Sequence, residues 1–118
     1  ILMSLRGRYG NSTVTLAHSK SKNLTELTLK ADIIIMALGI PEFLKSDMIK
    51  KDSTIIDVGI TRVEDKSNNR GYTIKGDVDF NSVSKKAKFL TPVPGGVGPM
   101  TIAMLLQNTL DARLLNLS

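Results

Sequence analysis

Two stretches of this chain concentrate residues whose types and spacing could do chemistry. The first, His18-Ser19-Lys20-Ser21-Lys22, sets two hydroxyls and two lysines within five residues. Hydroxyl and ammonium donors suit a phosphate dianion, and charge-assisted bonds to phosphate are strong ones. Dinucleotide folds that take NAD often hold the ribose hydroxyls with an acid near such a position, and that acid would repel a ribose phosphate. The stretch offers hydroxyls and lysines instead, which favours NADP over NAD. An exposed polar Ser/Lys loop would carry the same residues. His18 alone makes no metal site, because the chain has one histidine and no cysteine.

The second stretch, Pro92-Val93-Pro94-Gly95-Gly96-Val97-Gly98-Pro99-Met100-Thr101, holds three prolines and three glycines in ten residues. Proline stiffens the backbone and glycine lets a ligand come close to it. Pro99 is expected at the first position of a helix, and the amides of a helix start attract anions or polar ligand edges. No Gly-Lys-Ser/Thr follows, so this is not a Walker loop. Its place late in the chain also excludes the pyrophosphate fingerprint found between the first strand and helix of a dinucleotide fold. Ala37-Leu38-Gly39 and Val58-Gly59-Ile60 are two weaker signals. Each ends an apolar run in or near glycine, where a missing Cβ admits a ligand to the backbone or simply permits a tight turn. Ile60 would wall a flat ring, or serve as hairpin core.

These stretches need elements to hold them. Ile1 to Arg8 reads as the end of a helix, broken at Gly7 and Gly10. Thr13 to Ala17 reads as a short strand, and Asn23 as the cap of a helix from Leu24 to about Lys30. Apolar runs at Ile33–Leu38 and Ile55–Val58 lack polar alternation, as strands covered on both faces do. A helical turn is expected at Ser46–Ile49, and a hairpin from Ile60–Val63 to Tyr72–Lys75 around the polar Glu64–Gly71. A short helix at Asp79–Lys86, a strand at Lys88–Leu90 and a final helix over about Pro99–Arg113 complete the chain. Strands alternating with helices imply an α/β, Rossmann-like fold, with a mostly parallel sheet and flanking helices. Ligands of such sheets bind beyond the carboxyl ends of the strands. His18-Ser19, Ala37–Gly39, Val58–Ile60 and Thr91 onward should therefore line one crevice.

Composition sets the outer bounds. The chain has 118 residues, the size of one domain, and 42% are hydrophobic, enough for one core. Its net charge of +5 is spread along the sequence and its aromatic content is 4%, which argues against a nucleic-acid interface. No apolar run approaches the roughly 18 residues of a membrane span. The absence of cysteine excludes disulfides and fits a reducing compartment.

The run from Thr91 to Thr101 closely resembles the C-terminal signature of the bifunctional methylenetetrahydrofolate dehydrogenase/methenyltetrahydrofolate cyclohydrolase family. Thr13 through Lys20, Ala31 to Gly39, Ile56 to Ile60 and Gly76-Asp77-Val78-Asp79-Phe80 are similar to further blocks of that family, in order. The resemblance covers essentially all of the chain. It implies a truncated NAD(P)-binding domain spanning residues 1–118, lacking the first strand of its sheet. It implies an enzyme, cytoplasmic or organellar, that oxidises methylene-tetrahydrofolate with NADP and hydrolyses the methenyl product to formyl-tetrahydrofolate.

Carried over by position, Ser19 meets the ribose phosphate, and Ala37 and Gly39 lie along the dinucleotide. Val58 and Ile60 approach the nicotinamide, and Thr101 contacts the cofactor. Pro94, Gly95 and Gly98 form the floor under the folate. The family's Gly-Arg-Ser phosphate loop is missing, and so is its Tyr-x-x-x-Lys motif, which carries the central acid/base lysine. The residues four after Tyr9 and Tyr72 are Thr13 and Gly76, so no catalytic side chain is assigned here. The expectation is an inactive fragment whose last helix, about 99–115, faces a missing N-terminal catalytic domain, in a homodimer. The alternative is a non-catalytic remnant that binds a nucleotide or a partner protein. No nucleic-acid or membrane partner is expected.

Overall fold

The computed structural model describes residues 2–7, 10–18 and 20–115. Three short strands, β1 (Ile33–Met36), β2 (Thr54–Asp57) and β5 (Phe89–Leu90), form a parallel sheet in the order β1-β2-β5. β3 (Thr61–Glu64) and β4 (Tyr72–Lys75) make a separate antiparallel hairpin, with Thr61 opposite Lys75. The helices are α1 (Leu24–Lys30), α2 (Phe80–Val83) and α3 (Val97–Leu115), with 3-10 turns at Leu2–Ser4 and Ser46–Met48. This is the expected α/β arrangement. Among the described residues, no helix is long and apolar enough to cross a membrane.

The core lies on one face of the parallel sheet. Ile34, Met36 and Ile55 point into it and meet Leu44, Ile49, Val78 and Val83. Asp79 caps α2 by accepting a hydrogen bond from Ser82 N at 3.3 Å, which turns Val83 into that core. The opposite face is uncovered: Ile33 is 50% and Ile35 is 60% exposed. The expectation of strands covered on both faces is therefore corrected. The uniformly apolar run hides an alternation in burial, because the described helices do not seal the second side.

Three other local readings change. Thr13–Ala17 forms no strand and is exposed throughout. Its β-branched residues favour extension, but a strand also needs a neighbour for its amides and carbonyls, and among the described residues none pairs with it. Asn23 stands at the α1 N-cap in the left-handed region, at φ 56°, without a side-chain cap bond. Its carbonyl instead takes the amides of Glu26 and Leu27 at 3.0 and 3.3 Å. Finally, α3 starts at Val97, so Pro99 is its third residue and not its first. Proline is still tolerated in the opening turn, where amides lack intrahelical partners.

The hairpin tip holds together locally. Asp65 accepts bonds from the amide and hydroxyl of Ser67 at 3.0 and 2.6 Å. The Ser67 hydroxyl, then its amide, keep the Asp65 carboxyl below its ordinary pKa. Arg62 stacks over the Tyr72 ring at 4.9 Å across the two strands, a contact that stabilises exposed sheet modestly.

No residue of α3 is buried. Gln107 bonds Asp111 one turn on at 2.8 Å, and Arg113 stands in the last turn, where a cation complements the helix dipole. The radius of gyration is 16.8 Å, against roughly 13–14 Å for a compact domain of this length. The leucines of α3 thus add little to the stability of this chain. Leu105→Ser, Leu106→Ser and Leu110→Ser are each expected to shift the unfolding free energy by less than ~0.5 kcal/mol, as exposed substitutions do. Urea titrations check this, and a loss above ~1.5 kcal/mol in any of them would mean that α3 packs on the chain's own core.

Candidate functional site

The carboxyl ends of the three parallel strands converge. Met36 is in register with Asp57, and Val58 N donates to Met36 O at 2.9 Å, so Ala37 and Val58 leave the sheet side by side. On the other side, Thr91 N donates to Ile55 O at 3.1 Å, and the Thr91 hydroxyl accepts from Asp57 N at 2.8 Å. Gly39 turns the chain after β1 with φ 72°, a left-handed conformation that glycine adopts without strain.

Two aspartates lock these tips together. Asp57 accepts from Gly59 N at 2.9 Å, Asp77 N at 3.0 Å and Val78 N at 3.0 Å. Asp77 Oδ2 accepts from Leu38 N at 2.5 Å and Gly39 N at 2.9 Å. The segment after Gly39 is stitched to the same place, with Glu42 N on Gly76 O and Leu44 N on Asp77 O, both at 3.0 Å. Lys75 pairs with Glu42 at 2.6 Å. Neither aspartate is among the site residues expected from the sequence. The signal that could have found them was an acid embedded in apolar or glycine-flanked strings, Ile55-Ile56-Asp57-Val58 and Gly76-Asp77-Val78, since buried acids need a dedicated set of donors.

Beyond these tips lies a cleft of about 260 Å³. Asp57, Val58 and Ile60 form one side, and the Pro92–Pro99 loop with Thr101 forms the other. Six of the expected site residues, Val58, Ile60, Pro94, Gly95, Gly98 and Thr101, therefore share one cavity. Ala37 and Gly39 do not line it; they stand at the adjacent strand tip, with Gly39 joined through Asp77 and Asp57. Ser19 lies outside the described residues. Its neighbour His18 is exposed, in a turn where Ser21 N donates to His18 O at 2.8 Å and His18 N to the Ser21 hydroxyl at 2.9 Å. His18, Lys20 and Ser21 line neither described cavity. A smaller cavity of about 90 Å³ shares Asp57 and Val93 with the cleft and lies against Lys75, Glu42 and Asn81.

The chemistry of the cleft follows from its walls. Valine, isoleucine and proline side chains suit a flat ring better than a phosphate. Pro99 has no amide to offer, so the first turn of α3 presents fewer donors than an ordinary helix start. The Thr101 hydroxyl donates to Val97 O at 3.0 Å, which leaves its oxygen as an acceptor and its methyl as a contact surface. Among the described residues, no group of three His, Cys, Asp or Glu is placed to hold a metal ion.

Comparison with known proteins gives the family. Residues 1–116 match the model of the tetrahydrofolate dehydrogenase/cyclohydrolase NAD(P)-binding domain. The chain is 73% identical over 113 residues to the bifunctional protein FolD of Flavobacterium johnsoniae and 67% identical over 113 residues to that of Christiangramia forsetii. Each alignment covers 96% of this chain and 38% of the relative, so the chain spans well under half of their length. A crystal structure of FolD from Campylobacter jejuni, described as a methylenetetrahydrofolate dehydrogenase/cyclohydrolase, superposes with a TM-score of 0.76 at 51% identity, covering 87% of this chain and 34% of that one. The Trypanosoma brucei enzyme, solved with NADP and an inhibitor, gives 0.77 at 44% identity over 84% of this chain and 34% of that one. Fold, converging strand tips and matched residues lead to one assignment: the chain belongs to the tetrahydrofolate dehydrogenase/cyclohydrolase family, within its NAD(P)-binding domain.

Proposed function

We propose that this chain is the nucleotide-binding part of an enzyme that oxidises methylene-tetrahydrofolate with NADP and hydrolyses methenyl-tetrahydrofolate to formyl-tetrahydrofolate. The observation that carries the reading is the cleft in which Val58 and Ile60 face the Pro94–Gly98 loop. Bound there, NADP supplies the hydride acceptor. Val58 and Ile60 wall its nicotinamide, and Thr101 offers an acceptor oxygen. Ala37 and Gly39 run beside the rest of the dinucleotide, and Ser19 is assigned to the ribose phosphate. Pro94, Gly95 and Gly98 support the folate ring. The residues present fit this ligand: an apolar slot for a ring opens beside strand tips already fixed by buried carboxylates.

These residues bind and orient. Hydride transfer gains most of its rate from holding donor and acceptor in a near-attack pose, and the chain supplies one wall of that pose. Proton transfer for the cyclohydrolase step belongs to side chains of another part of the protein, supplied by an N-terminal catalytic domain. The apolar side chains of α3, with Leu105, Leu106 and Leu110 more than half exposed, are the surface offered to that domain. Among the described residues no further strand pairs with the β3–β4 hairpin, which leaves its edges suited to a homodimer contact.

A second reading, a non-catalytic nucleotide- or partner-binding remnant, draws on the same exposed helix. Absorbance at the NADPH band, followed with methylene-tetrahydrofolate and NADP, checks the first reading. The chain alone is expected to turn over at least ~100-fold more slowly than full-length relatives, because a missing general acid/base costs ~10²–10⁴-fold. Turnover near the full-length rate overturns the division of labour. Calorimetry with NADP and with NAD is expected to give weak binding with NADP preferred; heat from neither removes the nucleotide role.

A further inference from the structure

The two aspartates that fix the strand tips also set the charge of the cleft. Among the described residues lining it, Asp57 is the one that ionises. It is 3% exposed, and Asp77, bonded to it through Asp77 N, is fully buried. Every hydrogen bond that the two side chains accept comes from a backbone amide, the partner set of acceptor-only carboxylates. Among the described residues, neither is paired with a cation: the nearby Lys75 is taken by Glu42, and Lys50 by Asp32. Among the described residues, Asp77 Oδ1 has no hydrogen-bond partner. Negative charge is thus stored beneath an apolar slot without a positive side chain to neutralise it.

We infer that Asp57 and Asp77 make the cleft selective for a positively charged ring, so that oxidised NADP binds in preference to reduced NADP. The inference rests on the assignment of the nicotinamide to this cleft. The pyridinium ring of the oxidised nucleotide carries a formal positive charge and the dihydropyridine ring carries none; the phosphates are common to both. The N-terminus of α3 borders the same cleft and opposes the effect, with about half a positive charge at a solvent-exposed helix end. Against it stands at least one whole negative charge in a poorly screened interior, so the carboxylates win. Acceptance of a hydride from the folate neutralises the ring and leaves the folate one unit more positive. The attraction that held the nucleotide is then lost at the moment when it must leave.

The wild-type chain gives the first test. Calorimetric titration is expected to show oxidised NADP binding about tenfold more tightly than reduced NADP, the effect of one unit charge over ~10 Å at an effective dielectric of ~20. Equal affinities, or tighter binding of the reduced form, overturn the inference alone. Failure of both forms to bind overturns the nucleotide assignment beneath it, and the inference falls with it.

Asp77→Asn gives the second test. The amide oxygen keeps the bonds from Leu38 and Gly39, and the amide nitrogen replaces the unpartnered Oδ1, so charge is removed with the bond network intact. This variant is expected to weaken oxidised NADP about tenfold and to leave reduced NADP and the adenosine bisphosphate fragment, which lacks the ring, within about twofold. An equal loss for all three ligands would make Asp77 a purely structural residue and overturn its part in the selection. If the variant does not fold, the wild-type ratio decides.

Discussion

Asp57→Ala is expected to unfold the chain under conditions where the wild type is folded. The carboxylate holds three buried amides, those of Gly59, Asp77 and Val78, at 2.9–3.0 Å. An alanine leaves all three donors orphaned, at about 1–3 kcal/mol each, or roughly 3–9 kcal/mol together. A chain of this size has about 6–18 kcal/mol in total at ordinary stability per residue. Here the core is one-sided and a whole helix adds no buried residue, which places this chain toward the lower end. Asp57→Asn separates the contributions. Its oxygen can keep the amides of Gly59 and Asp77, while its nitrogen faces Val78 N and forfeits one bond, a loss of about 1–3 kcal/mol. Urea unfolding followed by far-ultraviolet circular dichroism should rank wild type above Asn and Asn above Ala. An alanine variant within ~1 kcal/mol of wild type would show that the amides find other partners.

The same aspartates mark where the sequence was legible and where it was not. The hairpin, α1, the turn at Ser46 and strands β1 and β2 could be read because each is a local pattern bounded by its own breakers. The crevice could be read only in part: Val58, Ile60 and the Pro/Gly loop share the cleft, whereas Ala37, Gly39 and His18 do not line it. Ile33 and Ile35 misled: an apolar run tells that a strand is hydrophobic, but burial depends on what lies across the sheet, which one strand's letters do not carry. Thr13–Ala17 failed for the same reason, since strand pairing depends on a neighbour. Asp57 and Asp77 were invisible as a pair because they stand 20 residues apart, and only the return of the chain after β4 brings them together. Propensity is local, whereas partner sets are not.

Gly76→Ala is the second substitution with a large expected cost, and Gly95 and Gly98 show why by contrast. A Cβ at Gly76 would fall inside the Asp57 carboxylate, 2.7 Å from its Cγ, and 2.8 Å from Val93 Cγ2. Val93 can turn aside, but Asp57 cannot move without giving up its three amides. The expected loss is about 2–4 kcal/mol, at or above the usual penalty for overpacking. Gly95 meets nothing within 4 Å but has φ 97°, so Gly95→Ala costs backbone strain alone, about 1–3 kcal/mol. Gly98 also meets nothing within 4 Å and lies in the first turn of α3, where alanine is up to ~1 kcal/mol better than glycine. Gly98→Ala should therefore melt no lower than wild type. Yet Gly98 lines the cleft, and a methyl group there narrows the floor on which a ring would rest. Thermal melts and folate titrations of the three variants are expected to separate the two properties: Gly76→Ala melts lower than wild type, and Gly98→Ala keeps its melting temperature and loses affinity. If Gly98→Ala instead melts as low as Gly76→Ala, the loop's glycines serve packing, and the ligand-binding role falls back on Val58 and Ile60.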